Sequence, residues 1–202
     1  MLDAFLRPLI NTPLERAAKA LNAVSLKPDH ITWIGFGFGV LAMAALANGF
    51  YLSALLFIGL NRLCDGLDGA LARVSHHVTD YGGYLDIVLD FIIYSGLVFA
   101  FALGRPEDAL IAAFLIFSFI GTGGSFLAYA IIAAKRGVET EARGKKSFFH
   151  MGGLAEGTET IIALALICIF PQWFTEIALT FGALCWITTI GRIYEAKRVF
   201  RD

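Results

Sequence analysis

Six apolar runs, each near twenty residues long, fill most of this chain of 202 residues and leave few folds open to it. A helix of about 20 apolar residues spans the ~30 Å hydrocarbon core of a bilayer. Within that core only segments that satisfy their own backbone N–H and C=O groups are stable. The runs lie at 31–50, 51–73, 82–104, 109–134, 153–170 and 173–194. Asn48-Gly49 marks a tight turn between the first two, Pro106 separates the third from the fourth, and Pro171 the fifth from the sixth. A mean hydropathy of +0.70, with 57% hydrophobic and 16% charged residues, is rare for a soluble domain. The fold class expected is an all-α integral membrane protein with six transmembrane helices.

The segment before the first run follows a different pattern. Leu2, Phe5, Leu6 and Leu9, then Leu14, Ala17, Ala18 and Leu21, recur at a helical spacing broken near Pro13. Arg7, Arg16 and Lys19 populate the other face. Residues 1–26 therefore read as an amphipathic interfacial helix on the inner leaflet. Residues 27–202 read as the transmembrane core of a single domain, 1–202. No cleavable signal peptide is expected, because Asp3, Arg7, Glu15, Arg16 and Lys19 interrupt the first twenty residues. Cys64, Cys168 and Cys185 fall inside apolar runs without ligand spacing, which argues against a disulfide framework.

Basic residues set the orientation. Arg62 falls inside the second run and Arg105 on the loop at 105–108, while the other 14 of the 16 Lys and Arg lie on one side. The positive-inside rule then puts both termini and the turn at 74–81 in the cytoplasm. The expected location is the bacterial cytoplasmic (inner) membrane.

Asp65, Asp68, Asp86 and Asp90 stand out against this background. One charged side chain at the centre of a membrane helix costs about 2.5–3.5 kcal/mol on insertion scales, so several on neighbouring helices call for a compensating cation. Residues three and four apart share a helix face. Asp65, Asp68, Gly69, Ala72 and Arg73 thus form one stripe at the cytoplasmic end of the second run, and Asp86 and Asp90 another at the start of the third. Eight residues separate Arg73 from Gly82, so the two helices are expected as antiparallel neighbours. Converging carboxylates suit a hard cation such as magnesium, manganese or calcium, and the stripe lacks the thiolates and paired imidazoles that zinc favours. Gly69 and Ala72 leave a groove, Gly82 does the same opposite, and Arg73 at the rim suits a phosphate. Metal, arginine and a cytosolic mouth point to a nucleotide-diphosphate substrate.

Other polar residues divide into bland and sharp readings. Asp80 reads as a solvated loop acid, His76 and His77 as solvated turn residues, Cys64 as packing, and Arg62 as partner to a carboxylate. Glu156 and Glu159, expected on one helical face, are candidates to bind an acceptor hydroxyl or amine, or to pair with Arg62 or Arg192. The basic loop of Lys135, Arg136, Arg143, Lys145 and Lys146 reads as an anchor on anionic lipid or as a recruiter of a phosphorylated acceptor. Gly121-Thr122-Gly123-Gly124-Ser125 reads as close helix packing, with a dimer interface as the alternative.

The spacing Asp65-x2-Asp68-Gly69-x2-Ala72-Arg73-x8-Gly82-x3-Asp86-x3-Asp90 resembles, without gap or substitution, the signature of the CDP-alcohol phosphotransferase (phosphatidyltransferase) family. Pro28-Asp29-His30-Ile31-Thr32 is similar to that family's Pro-Asn-x-x-Thr segment, with Asp29 in place of Asn. The resemblance implies a metal-dependent enzyme that displaces CMP from a CDP-linked alcohol. It implies that Asp65, Asp68, Asp86 and Asp90 hold one or two magnesium or manganese ions, Asp90 doubling as general base. It also implies that Asp29, Thr32, Gly69, Ala72, Arg73, Thr79 and Gly82 line the site of the CDP moiety. Lys135, Lys145, Glu156, Glu159 and Arg192 are the acceptor-binding candidates.

The expected reaction is phospholipid biosynthesis: a phosphatidyl group passes from CDP-diacylglycerol, or another CDP-alcohol substrate, to a small polar alcohol. Glycerol 3-phosphate is the first choice, because Lys145, Lys146 and Arg192 suit its phosphate. Inositol phosphate and serine follow, and transfer of a CDP-linked head group to a lipid alcohol is a further alternative. Glu156 and Glu159 pull the other way, toward a cationic or polyhydroxyl acceptor. Membrane lipids and, on the resemblance, a second copy in a homodimer are expected partners; nucleic acid is not. A cation transporter would use the same carboxylates but needs a polar path to the far face. Residues 41–47 and 97–103 supply none.

Overall fold

The computed structural model describes residues 3–23, 26–137 and 153–201, which form helices joined by turns, with no strand among them. The helices are α1 (Asp3–Ala23), α2 (Pro28–Ala47), α3 (Tyr51–Val74), α4 (Asp80–Gly104), α5 (Ala109–Lys135), α6 (Gly157–Ile169) and α7 (Phe174–Phe200). Four stretches are long and apolar enough to cross a membrane: Pro28–Ala47, Asp80–Gly104, Pro106–Lys135 and Pro171–Phe200. α3 matches them in length at 24 residues but carries Arg62, Asp65, Asp68 and Arg73. α6 is apolar but has only 13 residues, roughly 20 Å of helix.

Turn chemistry places the helix ends. After α2 the N–H groups of Gly49 and Phe50 bond back to the carbonyls of Leu46 and Ala45 at 3.0 and 2.8 Å, with Gly49 at φ +75°. That closure requires the left-handed conformation glycine adopts freely. α3 ends the same way on His76 at φ 56°, where His76 and His77 bond back to Arg73 and Ala72. The turn thereby ties down the backbone of two signature residues.

Three expectations are corrected. α1 runs through Pro13 without a break. A proline inside a helix costs about 3 kcal/mol, and here Leu14, Ala18 and Leu21 offset it by packing with Leu67, Ala70 and Leu71 of α3. α6 begins at Gly157 rather than 153, because Glu156 is its extended N-cap residue (φ −122°, ψ −171°) and accepts the Gly153 N–H at 3.0 Å. Glu156 and Glu159 therefore do not share a helical face. α7 continues past 194 to Phe200, with Lys197 and Arg198 in its last turn, where cations suit the helix dipole. Smaller shifts start α2 at Pro28 and α4 at Asp80.

α2 packs against both α3 and α4, α4 leads to α5, α5 runs along α7, and α6 touches α3, α4 and α7. Ile93, Leu97, Phe101, Leu115 and Phe174 form the heart of the core, and Phe101 stacks on Phe174 at 4.2 Å. At the end away from the aspartates, Arg105 pairs with Asp108 at 2.8 Å and donates to the Pro171 carbonyl at 2.8 Å, joining two loops. Two glycines of the α5 run pack within the chain, Gly121 against Thr189 and Trp186 and Gly123 against the Phe91 ring, while Gly124 meets open space. All three cysteines are free.

Gly104 marks the closest backbone approach, where a Cβ would sit 2.8 Å from the Leu46 carbonyl oxygen and 3.0 Å from that of Ala47. Main chain yields less readily than a side chain, so Gly104→Ala is expected to destabilise the protein by about 1–3 kcal/mol. Gly37→Ala, which meets open space, is the control. Equal melting temperatures for the two variants in detergent would refute the close approach.

Candidate active site

The site lies where the polar halves of α3 and α4 face each other across a gap. Contrary to the expectation of directly packed neighbours, α3 and α4 approach each other less closely than either approaches α2. α2 spaces them, and long side chains bridge the opening. One carboxylate oxygen each from Asp65, Asp86 and Asp90 lie within 4.8 Å of one another. The i, i+4 relation of Asp86 and Asp90 aims both from α4, while Asp65 reaches across from α3. Asp68 lines the same cleft, with Thr32, Gly35, Phe36 and Asn61, but stands apart from the trio. It is buried, and its Oδ2 accepts a hydrogen bond from Thr32 Oγ1 at 2.6 Å.

Arg62 forms the floor. Its Nη2 donates to Asp90 Oδ1 at 2.6 Å, and its Nη1 lies 3.5 Å from Asp65 Oδ2. Nη1 also donates to the Tyr94 hydroxyl at 3.0 Å, and that hydroxyl donates to Asp90 Oδ2 at 3.0 Å. Nε donates to Asn61 Oδ1 at 2.9 Å, while Asn61 Nδ2 donates to the Gly35 carbonyl at 2.9 Å. The expected pairing of Arg62 with a carboxylate is thus observed. Asn61 and Tyr94 were not among the residues singled out from sequence. Extending each acidic stripe by one turn, Asp65 back to Asn61 and Asp90 on to Tyr94, would have found both.

The rim carries the remaining signature residues. The Arg73 guanidinium lies over Gly69, 3.4 Å from where a Cβ would stand. Gly82 faces Thr79 Oγ1 and Asp29 Oδ1, so the first turn of α2 meets the start of α4. Ala72 is half-buried, while His76 and His77 are exposed as expected. Thr79 is the N-cap residue of α4, its hydroxyl oxygen accepting the Gly82 N–H at 3.0 Å.

Of the acceptor candidates, the four among the described residues, Lys135, Glu156, Glu159 and Arg192, do not line the cleft. Lys135 is exposed at the end of α5, and Glu159 sits in the first turn of α6. Arg192 donates to the Thr122 carbonyl at 2.8 Å and hydroxyl at 3.0 Å and lies over the Phe126 ring. Glu156 is near enough for its charge to act on Arg192. Lys145, with Arg143 and Lys146, falls outside the described residues.

Residues 26–191 match the family model described as CDP-alcohol phosphatidyltransferase, a span that holds every residue lining the cleft. The chain belongs to the CDP-alcohol phosphatidyltransferase family. The inner membrane protein YnjF of Escherichia coli is 51% identical over 196 residues, covering 96% of this chain and 95% of that protein. The archaetidylinositol phosphate synthase of Pyrococcus horikoshii is 30% identical over 194 residues, with 96% and 95% coverage. Among solved structures, the Mycobacterium tuberculosis phosphatidylinositol phosphate synthase with CDP-DAG bound superposes with a TM-score of 0.68 at 22% identity, over 91% of this chain and 93% of that one. The same enzyme in complex with manganese and citrate gives 0.66 at 22% identity, over 90% and 87%. The chain is a phosphatidyltransferase-family enzyme with that shared fold.

Losing the Thr79 cap in Thr79→Ala is expected to cost about 1 kcal/mol of stability, whereas Thr79→Asp, also a good cap, retains it. Thermal unfolding in detergent separates the two. Equal losses would show that Thr79 contributes something other than the cap.

Proposed function

We propose that this enzyme transfers the phosphatidyl group of CDP-diacylglycerol to a hydroxyl of a phosphorylated polyol, inositol phosphate in the first instance, with release of CMP. The observation that carries this reading is the convergence of Asp65, Asp86 and Asp90 beside Arg62, inside the family-matched span. The acceptor class rests on the names of the two synthase relatives. Glycerol 3-phosphate, first choice from Lys145, Lys146 and Arg192, finds no support in those names and gives way. Phosphate capture falls to Arg192, Lys135 and Lys145, and hydroxyl binding to Glu156 and Glu159.

In this reading the CDP moiety lies in the groove of Asp29, Thr32, Gly69, Ala72, Thr79 and Gly82, with Arg73 on a phosphate. The all-oxygen donor set of Asp65, Asp86 and Asp90, with Asp68 beside it, suits magnesium or manganese. One or two such ions, when bound, neutralise charge on the diphosphate. Asp90 takes the proton of the acceptor hydroxyl. That oxygen bonds to the phosphorus bearing the diacylglycerol, and the bond from this phosphorus to the CMP oxygen breaks.

The topology proposed is six spans, α2–α7, in a bacterial inner membrane, with both termini and the cleft on the cytoplasmic side. α1 is the amphipathic interfacial helix, its buried face on α3. Residues 1–202 make one domain, and a homodimer belongs to the reading on the family resemblance alone. Cation transport has less to support it. Beyond Tyr94, α4 continues through Leu97, Val98 and Phe101, each 1% exposed, and offers no polar path.

The test supplies purified protein with magnesium or manganese, CDP-diacylglycerol and a panel of inositol phosphate, glycerol 3-phosphate and serine, and follows CMP. Release with inositol phosphate, abolished by chelation, is expected. Release with glycerol 3-phosphate instead would overturn the acceptor, and no release with any alcohol would overturn the donor. Asp90→Asn is expected to lose turnover by about 100-fold or more while retaining nucleotide binding. Normal turnover in that variant would reject the base assignment.

A further inference from the structure

Arg62 stands outside the signature at 65–90, yet it makes the shortest charged contact in the cleft. Its choice of partner is informative. Asp65 is three residues away on the same helix, the easy partner for a local ion pair, but the 3.5 Å contact to it is the longer one. The 2.6 Å contact goes across the gap to Asp90 on α4. Tyr94 closes a ring by accepting from Arg62 and donating to the other oxygen of Asp90. Both oxygens of Asp90 are therefore held, each by a different donor, and the carboxylate plane cannot rotate. An ionised carboxylate oxygen has two lone-pair directions, so each oxygen keeps one free for the cleft.

The guanidinium is itself held. Its Nε bonds to Asn61, and Asn61 is anchored on the Gly35 carbonyl of α2. The Tyr94 ring lies 5.3 Å beneath the guanidinium carbon. The orientation of Asp90 is thus referred, through Arg62 and Asn61, to the backbone of α2, the helix that also carries Thr32 against Asp68. A floor built only to neutralise acid would not need a planar fork with each side assigned. Arg supplies that fork and Lys does not.

We propose that Arg62 is a positioning residue for the transfer reaction: with Tyr94 and Asn61 it fixes the Asp90 carboxylate in the orientation from which it takes the acceptor proton. This rests on the reading of Asp90 as the base. Arg62 touches neither reactant in this scheme, so its loss bears on turnover rather than on donor binding.

The experiment compares Arg62→Gln, Arg62→Lys, Tyr94→Phe and Asp90→Asn in the full chain. It measures kcat and KM for CDP-diacylglycerol, binding of manganese alone by electron paramagnetic resonance, and melting temperature. Arg62→Gln is expected to lower kcat about 100-fold with the donor KM within about threefold. Manganese binding should be equal or tighter, because a nearby cation has gone. Tyr94→Phe, which deletes one hydroxyl, is expected to lower kcat about tenfold with KM unchanged, and Arg62→Lys to recover only part of the loss. A wild-type kcat in Arg62→Gln or in Tyr94→Phe overturns the proposal. So does a parallel collapse of donor KM, manganese binding and melting temperature in both, which would mark a structural brace. Full recovery by Arg62→Lys would reduce Arg62 to a point charge and overturn it as well. Turnover surviving in Asp90→Asn refutes the base assignment itself, which separates that failure from a failure of Arg62 alone.

Discussion

The ion pair between Arg62 and Asp90 is the constraint on which the cleft depends. α3 and α4 are held apart by α2, so no packing of one upon the other fixes their separation at the level of the aspartates. A 2.6 Å charged contact spans that opening and fixes how Asp90 is presented to it. Its surroundings raise its importance. Leu89, Ile93 and Phe36 line the same cavity, and side-chain exposure is 18% at Arg62 and 28% at Asp90. In such a place an unpaired charge costs several kcal/mol, whereas a paired and hydrogen-bonded one is tolerated. Asn61 and Tyr94 supply those extra hydrogen bonds, which is why two neutral polar groups sit so deep in apolar helices.

The rest of the fold can be read as support for this pair of helices. α2 lies against both, and the Asn48-Gly49 turn lets it double back into α3. α1 adds a layer outside α3, where Leu14 fills the space beside Gly66. Away from the aspartates the helices converge through Phe101 and Phe174, and the Arg105–Asp108 pair ties the loops there. The assembly is thus closed at one end and open at the other. That asymmetry suits a transferase whose polar substrate enters and leaves by the same face.

Much of this was legible in the sequence, because the signals are local. Apolar run length and turn residues place α3 and α4 within two residues of their observed ends, and a period of three to four assigns the aspartates to facing stripes. What was not legible depends on contacts between distant segments. The spacing of α3 and α4 is set by α2, which precedes both in the chain, and no period within either helix encodes it. The late start of α6 comes from Glu156 turning back to the Gly153 N–H, a cap that competes with helix in a stretch whose composition favours helix. The unbroken α1 defies Pro13 because burial on α3 outweighs a local penalty. Asn61 and Tyr94 are the intermediate case: their spacing put them on the stripes, but nothing in an isolated Asn or Tyr marks it as part of a charged site.

Charge accounting within the cleft gives the last step. Asp65, Asp68, Asp86 and Asp90 line one cavity with Arg62, so with all four ionised a single positive charge faces four negative ones. Two like charges about 4 Å apart repel by on the order of 4 kcal/mol at the effective dielectric of a protein surface. A diphosphate approaching such a site would be repelled, and Arg73, exposed at the rim and leaning over Gly69, offers one more charge. Arginines alone therefore do not make this cavity a diphosphate site. On the proposed reading, substrate and divalent cation enter as linked events, each improving the affinity for the other. In that scheme the role left to Arg62 is geometric, because the charge it contributes is small beside the charge it faces.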